Sequence, residues 1–174
     1  DEADQVWRCA RSLACHCADL ARICCSKLSG LWPSRQSLSP GQVSQDHPHL
    51  TYQIAINGYG RIGRCFLRAL HEGDRPVAMD VVHINEPADL DSMAYLTRFD
   101  STHGRFGGTV ERGGDGLVIN GAPVSVSHAT RPQDVDWCAL GIDLLVECSG
   151  RYSRRLQLSA FLQAGAPRLL LSQP

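Results

Sequence analysis

The run Ile54-Ala55-Ile56-Asn57-Gly58-Tyr59-Gly60-Arg61-Ile62-Gly63 constrains this chain more than any other segment. An apolar, β-prone stretch ends at Asn57, and Gly58, Gly60 and Gly63 follow in G-x-G-x-x-G spacing before a helical pattern opens at Arg61. That order predicts a buried strand, a tight turn and a helix start. Each glycine then has a mechanical role: Gly58 makes the turn, Gly60 lets the backbone approach a pyrophosphate, and Gly63 lets helix and strand pack closely. The free N–H groups and partial positive charge of a helix start suit phosphate groups.

The flanking residues support this reading. Ile62, Phe66, Leu67 and Leu70 recur at helical spacing, and Gly73 after His71-Glu72 predicts a C-cap. A second apolar run, residues 77–84, predicts the next strand. Glu86 falls at its end, near the separation of about twenty residues at which a dinucleotide fold places its ribose-binding carboxylate. Residues 89–97 predict a short helix with acids in its first turn. Short strands are expected at 109–111 and 117–120, with Asn120-Gly121 as a hairpin turn into 123–127, and these read as an antiparallel insertion beside the main sheet. Residues 142–148 predict a buried strand ending in Ser149-Gly150, and 168–172 predict another. Between them a helix is expected over 153–164, with Leu156, Ala160, Phe161 and Ala164 on one side.

Alternating strands and helices imply an α/β fold, a Rossmann-type parallel sheet with helices on both faces. Ligands of such sheets bind beyond the carboxyl ends of the strands, which puts Asn57, Glu86, Ser149, Gly150 and Ser172 along one edge. The bulk numbers exclude other classes. With 17 basic and 18 acidic residues there is no cationic excess to favour nucleic acid, and no apolar run reaches the roughly eighteen residues that a membrane span needs. Of the eight cysteines, Cys9, Cys15, Cys17, Cys24 and Cys25 crowd the first 25 residues, while Cys65, Cys138 and Cys148 are scattered. That distribution gives no disulfide framework, and Cys65 and Cys148 are expected as small buried hydrophobes.

Residues 1–50 differ in character from 51–174. Val6, Ala10, Leu13, Cys17, Leu20 and Cys24 alternate at spacings of four and three, predicting a helix that stops before Ser29-Gly30. Pro33, Pro40, Gly41 and Pro48 then mark an irregular linker. Three readings stand for this leader. Cys15-His16-Cys17 with Cys24-Cys25 could hold a soft metal, although the spacing is not that of a two-plus-two zinc site. A transit peptide is opposed by the acids Asp1, Glu2 and Asp4. The favoured reading is a non-homologous, poorly ordered extension.

The segments NGYGRIGR, INEPADLDSMAYLTRFDSTHGRF, LLVECSGRY and RLLLSQP together resemble the N-terminal, NAD-binding part of the glyceraldehyde-3-phosphate dehydrogenase family. The likeness is closest to the erythrose-4-phosphate dehydrogenase branch, through Asn85-Glu86 and the turn Gly150-Arg151-Tyr152. The resemblance implies that Arg61 and Ile62 present backbone groups to the pyrophosphate of NAD and that Glu86 accepts hydrogen bonds from the adenosine ribose. A carboxylate there also repels a 2′-phosphate, favouring NAD over NADP. By the same resemblance Ser149, Gly150 and Ser172 lie where the chain passes the cofactor, with ordinary strand-end capping as the alternative for the two serines. Ala129-Thr130 replaces a Glu-Arg pair, so Thr130 is expected to supply a backbone carbonyl near the adenine, any arginine side-chain role being lost or moved to Arg131.

The family's nucleophilic cysteine and its histidine partner have no counterpart in 51–174, so no catalytic residue is assigned and the chain is expected to be a fragment. The parent implied is a cytoplasmic homotetramer that oxidises a phosphosugar aldehyde, erythrose 4-phosphate to 4-phosphoerythronate. Phosphorylating oxidation of glyceraldehyde 3-phosphate is the alternative within the class, and a stand-alone dinucleotide-binding module without catalysis is the alternative outside it.

Overall fold

Strand and helix alternate as expected in the structure, a computed structural model that describes residues 51–72 and 78–172 and the backbone of Val6–Arg8. In chain order the elements are β1 (Val6–Arg8), β2 (Tyr52–Asn57), α1 (Arg61–Glu72), β3 (Met79–Asn85), α2 (Leu90–Arg98), β4 (Phe99–Asp100), β5 (Gly104–Arg105), β6 (Val110–Gly113), β7 (Gly116–Ile119) and β8 (Ala122–Ser127). A 3₁₀ turn at Pro132–Asp134, β9 (Leu144–Glu147), α3 (Arg155–Gln163) and β10 (Leu169–Leu171) complete them. The main sheet runs β1-β10-β9-β2-β3-β8-β7-β6, and β4 pairs with β5 separately. Pairing is parallel from β1 to β8 and antiparallel through β8, β7 and β6.

The chain leaves β2 on one side for β3 and later reaches β9 on the other, moving outward from there to β10. Right-handed crossovers that travel in opposite directions put their helices on opposite faces. The two cores follow from this. Ile54, Ile56, Leu144 and Val146 pack with Phe66 and Leu67 of α1 and Met93 of α2, whereas Ala55, Leu145, Leu169 and Leu171 pack with Trp137 and with Leu158 and Phe161 of α3. Successive strand residues thus serve opposite layers. Trp137 is wholly buried, its indole N–H donating to the Pro132 carbonyl at 2.9 Å and its ring tilted against Phe161 at 6.3 Å.

A register shift positions the site. Ile54 pairs with Val81 but Ala55 pairs with His83, leaving Val82 as a bulge, so that Asn57 comes opposite Asn85. Asn57 also faces Glu147, and Asn85 faces Ser127. No described helix is long and apolar enough to cross a membrane.

Several expectations change. The short strands pair antiparallel with one another as expected, but within the main sheet and not beside it: β8 pairs directly with β3, and β6 and β7 extend the same sheet. Asn120 and Gly121 turn the β7–β8 hairpin with φ of 51° and 83°, the paired left-handed conformation of a type I′ turn. Leu156 is 87 % exposed and outside the core, because α3 starts at Arg155 and turns Leu158 and Phe161 inward instead. Val6–Arg8, read as helical from periodicity, pair in parallel with Leu169–Leu171. An extended segment satisfies the open backbone edge of β10, which a helix cannot do. The rest of 1–50 with its cysteine cluster, the predicted cap at Gly73, and residues 173–174 lie outside the described residues. Cys65 and Cys148 are buried as expected, and Cys138 is exposed.

Two predictions follow from the packing on the α3 side. Phe161→Ala removes a ring that contacts both Trp137 and Tyr152, and should cost about 3–5 kcal/mol in denaturant unfolding. His83 is 4 % exposed with its ring edge-on to Trp137, and burial lowers its imidazole from 6.5 to about 4. Between those values the unfolded chain holds a proton that the folded chain does not, so stability is lost as pH falls through that window. Burial raises the Glu147 carboxyl, which acts in the opposite sense. Glu147 is common to wild type and His83→Gln, so the difference between their urea midpoints at pH 7 and pH near 4.5 isolates His83. The wild type should lose more stability than the variant, and equal losses would contradict the assignment.

Candidate functional site: a cleft at the strand ends

Where a parallel sheet reverses its winding, neighbouring connections diverge and leave a crevice beyond the strand ends. Here the reversal falls at β2, and the cleft is lined by Asn57, Gly58 and Gly60 at the end of β2, by Asn85, Glu86 and Pro87 at the end of β3, and by Cys148, Ser149, Arg151 and Tyr152 after β9. The turn Ala129-Thr130-Arg131 closes the β3 side.

The glycine loop is built as its spacing predicts. Gly58 has φ of 87°, and a Cβ there would lie 2.5 Å from the Ser149 Cα, so both conformation and space require glycine. A Cβ on Gly63 would run into the Gly58 carbonyl, which allows α1 to start against the strand end. Gly60 differs, because a Cβ there would meet no atom of the described residues within 4 Å. No contact among the described residues demands glycine at this position, yet it lines the cleft, which fits a ligand approaching the backbone there. Tyr59 is buried and raised to about 12 by that burial. Its hydroxyl donates to Thr97 Oγ1 at 2.9 Å while Thr97 donates to the Met93 carbonyl, pinning the loop to α2.

Glu86 faces this loop. Its Oε2 accepts the Tyr59 N–H at 2.6 Å and its Oε1 accepts the Ala88 N–H at 3.3 Å. A carboxylate has about four lone-pair sites, so acceptor capacity remains for a vicinal pair of hydroxyls. The first turn of α1 carries no acid, leaving its N-terminal N–H groups uncontested. A carboxylate, a glycine backbone open to approach and a bare helix start thus surround one crevice. This donor and acceptor set fits a dinucleotide.

Gly58, Gly60, Glu86, Thr130 and Ser149 of the sequence-derived set line the cleft. Arg61, Ile62 and Gly63 form the start of α1 behind it. Gly150 follows Ser149 with φ of 74° and Ser172 follows β10, its N–H on the Glu147 carbonyl at 3.0 Å; neither is part of the lining. The Thr130 carbonyl accepts from Tyr152 Oη at 3.4 Å, while the Arg131 guanidinium is held by Asp134 at 2.7 Å and 3.0 Å. The polar side chains of Asn57, Asn85 and Glu147, which meet beneath the cleft, carry no motif that assigns them a role. The available signal was a glutamate inside an otherwise apolar run, 144–148, since an acid is rarely buried without partners.

Residues 52–155 match the model of the glyceraldehyde 3-phosphate dehydrogenase NAD binding domain. Over 125 residues the chain is 42 % identical to glyceraldehyde-3-phosphate dehydrogenase of Pseudomonas aeruginosa, and 39 % identical to the plasmid-borne enzyme of that name of Cupriavidus necator. Each alignment covers 72 % of this chain and 37 % of the relative, so the chain spans little more than a third of those proteins. The chain belongs to the glyceraldehyde 3-phosphate dehydrogenase family, carrying its NAD-binding domain.

Proposed function

We propose that this chain is the cofactor-holding part of an NAD-dependent phosphosugar aldehyde dehydrogenase. Bound NAD supplies the acceptor for the hydride that leaves the aldehyde carbon. The chain's own residues bind and orient it. The N–H groups around Arg61 and Ile62 meet the pyrophosphate at the positive end of α1, and Glu86 receives the adenosine ribose hydroxyls. The Thr130 carbonyl borders the adenine, and Ser149-Gly150, with Ser172 further along the edge, form the opposite wall. The observation that carries this reading is Glu86 held by the Tyr59 N–H beside the open side of Gly60.

Two phosphosugars suit the parent enzyme. Asn85-Glu86 and Gly150-Arg151-Tyr152 favour erythrose 4-phosphate, whereas the names of the relatives favour glyceraldehyde 3-phosphate. The parent is proposed to be a cytoplasmic homotetramer. Among the described cysteines, Cys65 and Cys148 are buried and Cys138 lies outside the cleft, which leaves none as an exposed thiol beside the cofactor.

Calorimetry on the full chain should show NAD bound at least about tenfold more tightly than NADP, since a 2′-phosphate would sit against the Glu86 carboxylate. Glu86→Gln should weaken NAD and narrow that gap, and equal affinities in the wild type would contradict the ribose assignment. In an absorbance assay with NAD and either sugar, the chain should form no NADH. Turnover with either would show that it holds more than the cofactor site.

A further inference from the structure

Beneath the cleft a row of polar side chains crosses four parallel strands at one register level. Ser127, Asn85, Asn57 and Glu147 are successive partners on β8, β3, β2 and β9. Asn57 and Asn85 are 5 % and 4 % exposed and Glu147 is wholly buried, so each polar atom needs a partner within the protein.

The pattern of donors has one direction. Glu147 meets only donors: the Ser149 N–H at 2.7 Å, the Ser149 hydroxyl, and the Asn57 amide group. Oε2 faces the Asn57 NH₂ and Oε1 takes the Ser149 N–H, so only the Ser149 hydroxyl could accept from a protonated acid, and the set favours the carboxylate even though burial opposes it. With its Nδ2 committed to Glu147, Asn57 presents Oδ1 to Asn85 Nδ2 at 2.8 Å. Asn85 Nδ2 also donates to the Ala129 carbonyl at 3.0 Å, and Asn85 Oδ1 accepts the Ala129 N–H at 2.9 Å and the Ser127 hydroxyl at 2.8 Å. Ser127 has a single proton, already donated, and therefore accepts from His83 Nε2 at 2.9 Å. His83 then carries its hydrogen on Nε2, and its Nδ1 at 2.7 Å shares the single proton of the Ser125 hydroxyl with the Val82 carbonyl at 3.0 Å.

We infer that Glu147 is a positioning residue of the cleft: its carboxylate holds Ser149 and orients Asn57, so that Asn57 Oδ1 meets the Asn85 Nδ2 that the Ala129 backbone already orients, and the two walls of the site are tied together. One wall is Ser149, bound to Glu147 directly; the other is the Ala129-Thr130 turn, clamped by both ends of the Asn85 amide. Glu147 does not itself line the cleft, so its effect on a ligand passes through these neighbours. The consequence for NAD rests on the function proposed above; the pairing of Glu147 with Asn57 does not.

Glu147→Gln sets an amide NH₂ against the Asn57 NH₂, and reversing Asn57 only moves the donor clash to Asn85. The double variant Asn57→Asp/Glu147→Gln exchanges the groups. The introduced glutamine donates to the introduced aspartate and still accepts from Ser149, the aspartate accepts from Asn85, and net charge is kept. In the full chain, the single variant should bind NAD at least about tenfold more weakly, as expected when buried donors lose their acceptor. In the cofactor-free protein the urea midpoint should fall in the single variant and recover in the double variant, a recovery that loss of packing would not give. A double variant as unstable as the single one, or a single variant that binds NAD as tightly as wild type, overturns the inference. If the single variant fails to fold, folding of the double variant decides the matter. If the wild type binds no NAD, the proposed function fails while the urea midpoints still test the pairing of Glu147 with Asn57.

Discussion

The cleft exists because β2 lies between two parallel neighbours that the chain reaches by opposite routes. One route runs through α1 to β3, and the other arrives later at β9 and leaves through α3 for β10. Both right-handed connections swing away from β2, and among the described residues they leave the ends of the three strands open where they diverge. The glycine loop starts α1 at that point, with Gly63 against the Gly58 carbonyl. A looser approach would shift the helix start away from the strand ends, and with it the positive end of the helix dipole.

Backbone geometry alone does not fix the walls of this crevice. The polar ends of β2, β3 and β9 would be costly to bury singly, and they are tolerated because each satisfies the next. The bulge at Val82 is part of that arrangement. Without it Asn85 would fall out of register with Asn57, and the amides would lose each other. Tyr59 fastens the loop to α2 from the opposite layer, so the site is tied to both cores. Glu86 stands at the junction, attached to the loop through the Tyr59 N–H and to its own strand by sequence.

How far this was legible in the sequence depends on whether a residue's role is local. Gly58 and Gly63 were readable because a positive φ and a close approach leave a glycine signature in the chain itself. The position of Glu86 at the end of β3 follows from the apolar run before it, and the hairpin turn from Asn120-Gly121. The partners of Glu147 were not readable, because they depend on strand order and on a bulge that no periodicity announces. Periodicity does not place Leu156, because α3 is apolar on more than one side and its starting point decides which residues turn inward. Nor does it place Val6–Arg8, because an open edge far along the chain recruits a strand whatever the segment's own pattern.

The central claim is that NAD lies across the ends of β2, β3 and β9. Amide chemical-shift mapping of the full chain titrated with NAD tests it most directly. Shifts concentrated at 57–63, 86–88, 129–131 and 148–152, with the β6–β7 hairpin unmoved, are the predicted result. Saturable shifts clustered on that hairpin or along α3, with the glycine loop unchanged, would contradict it.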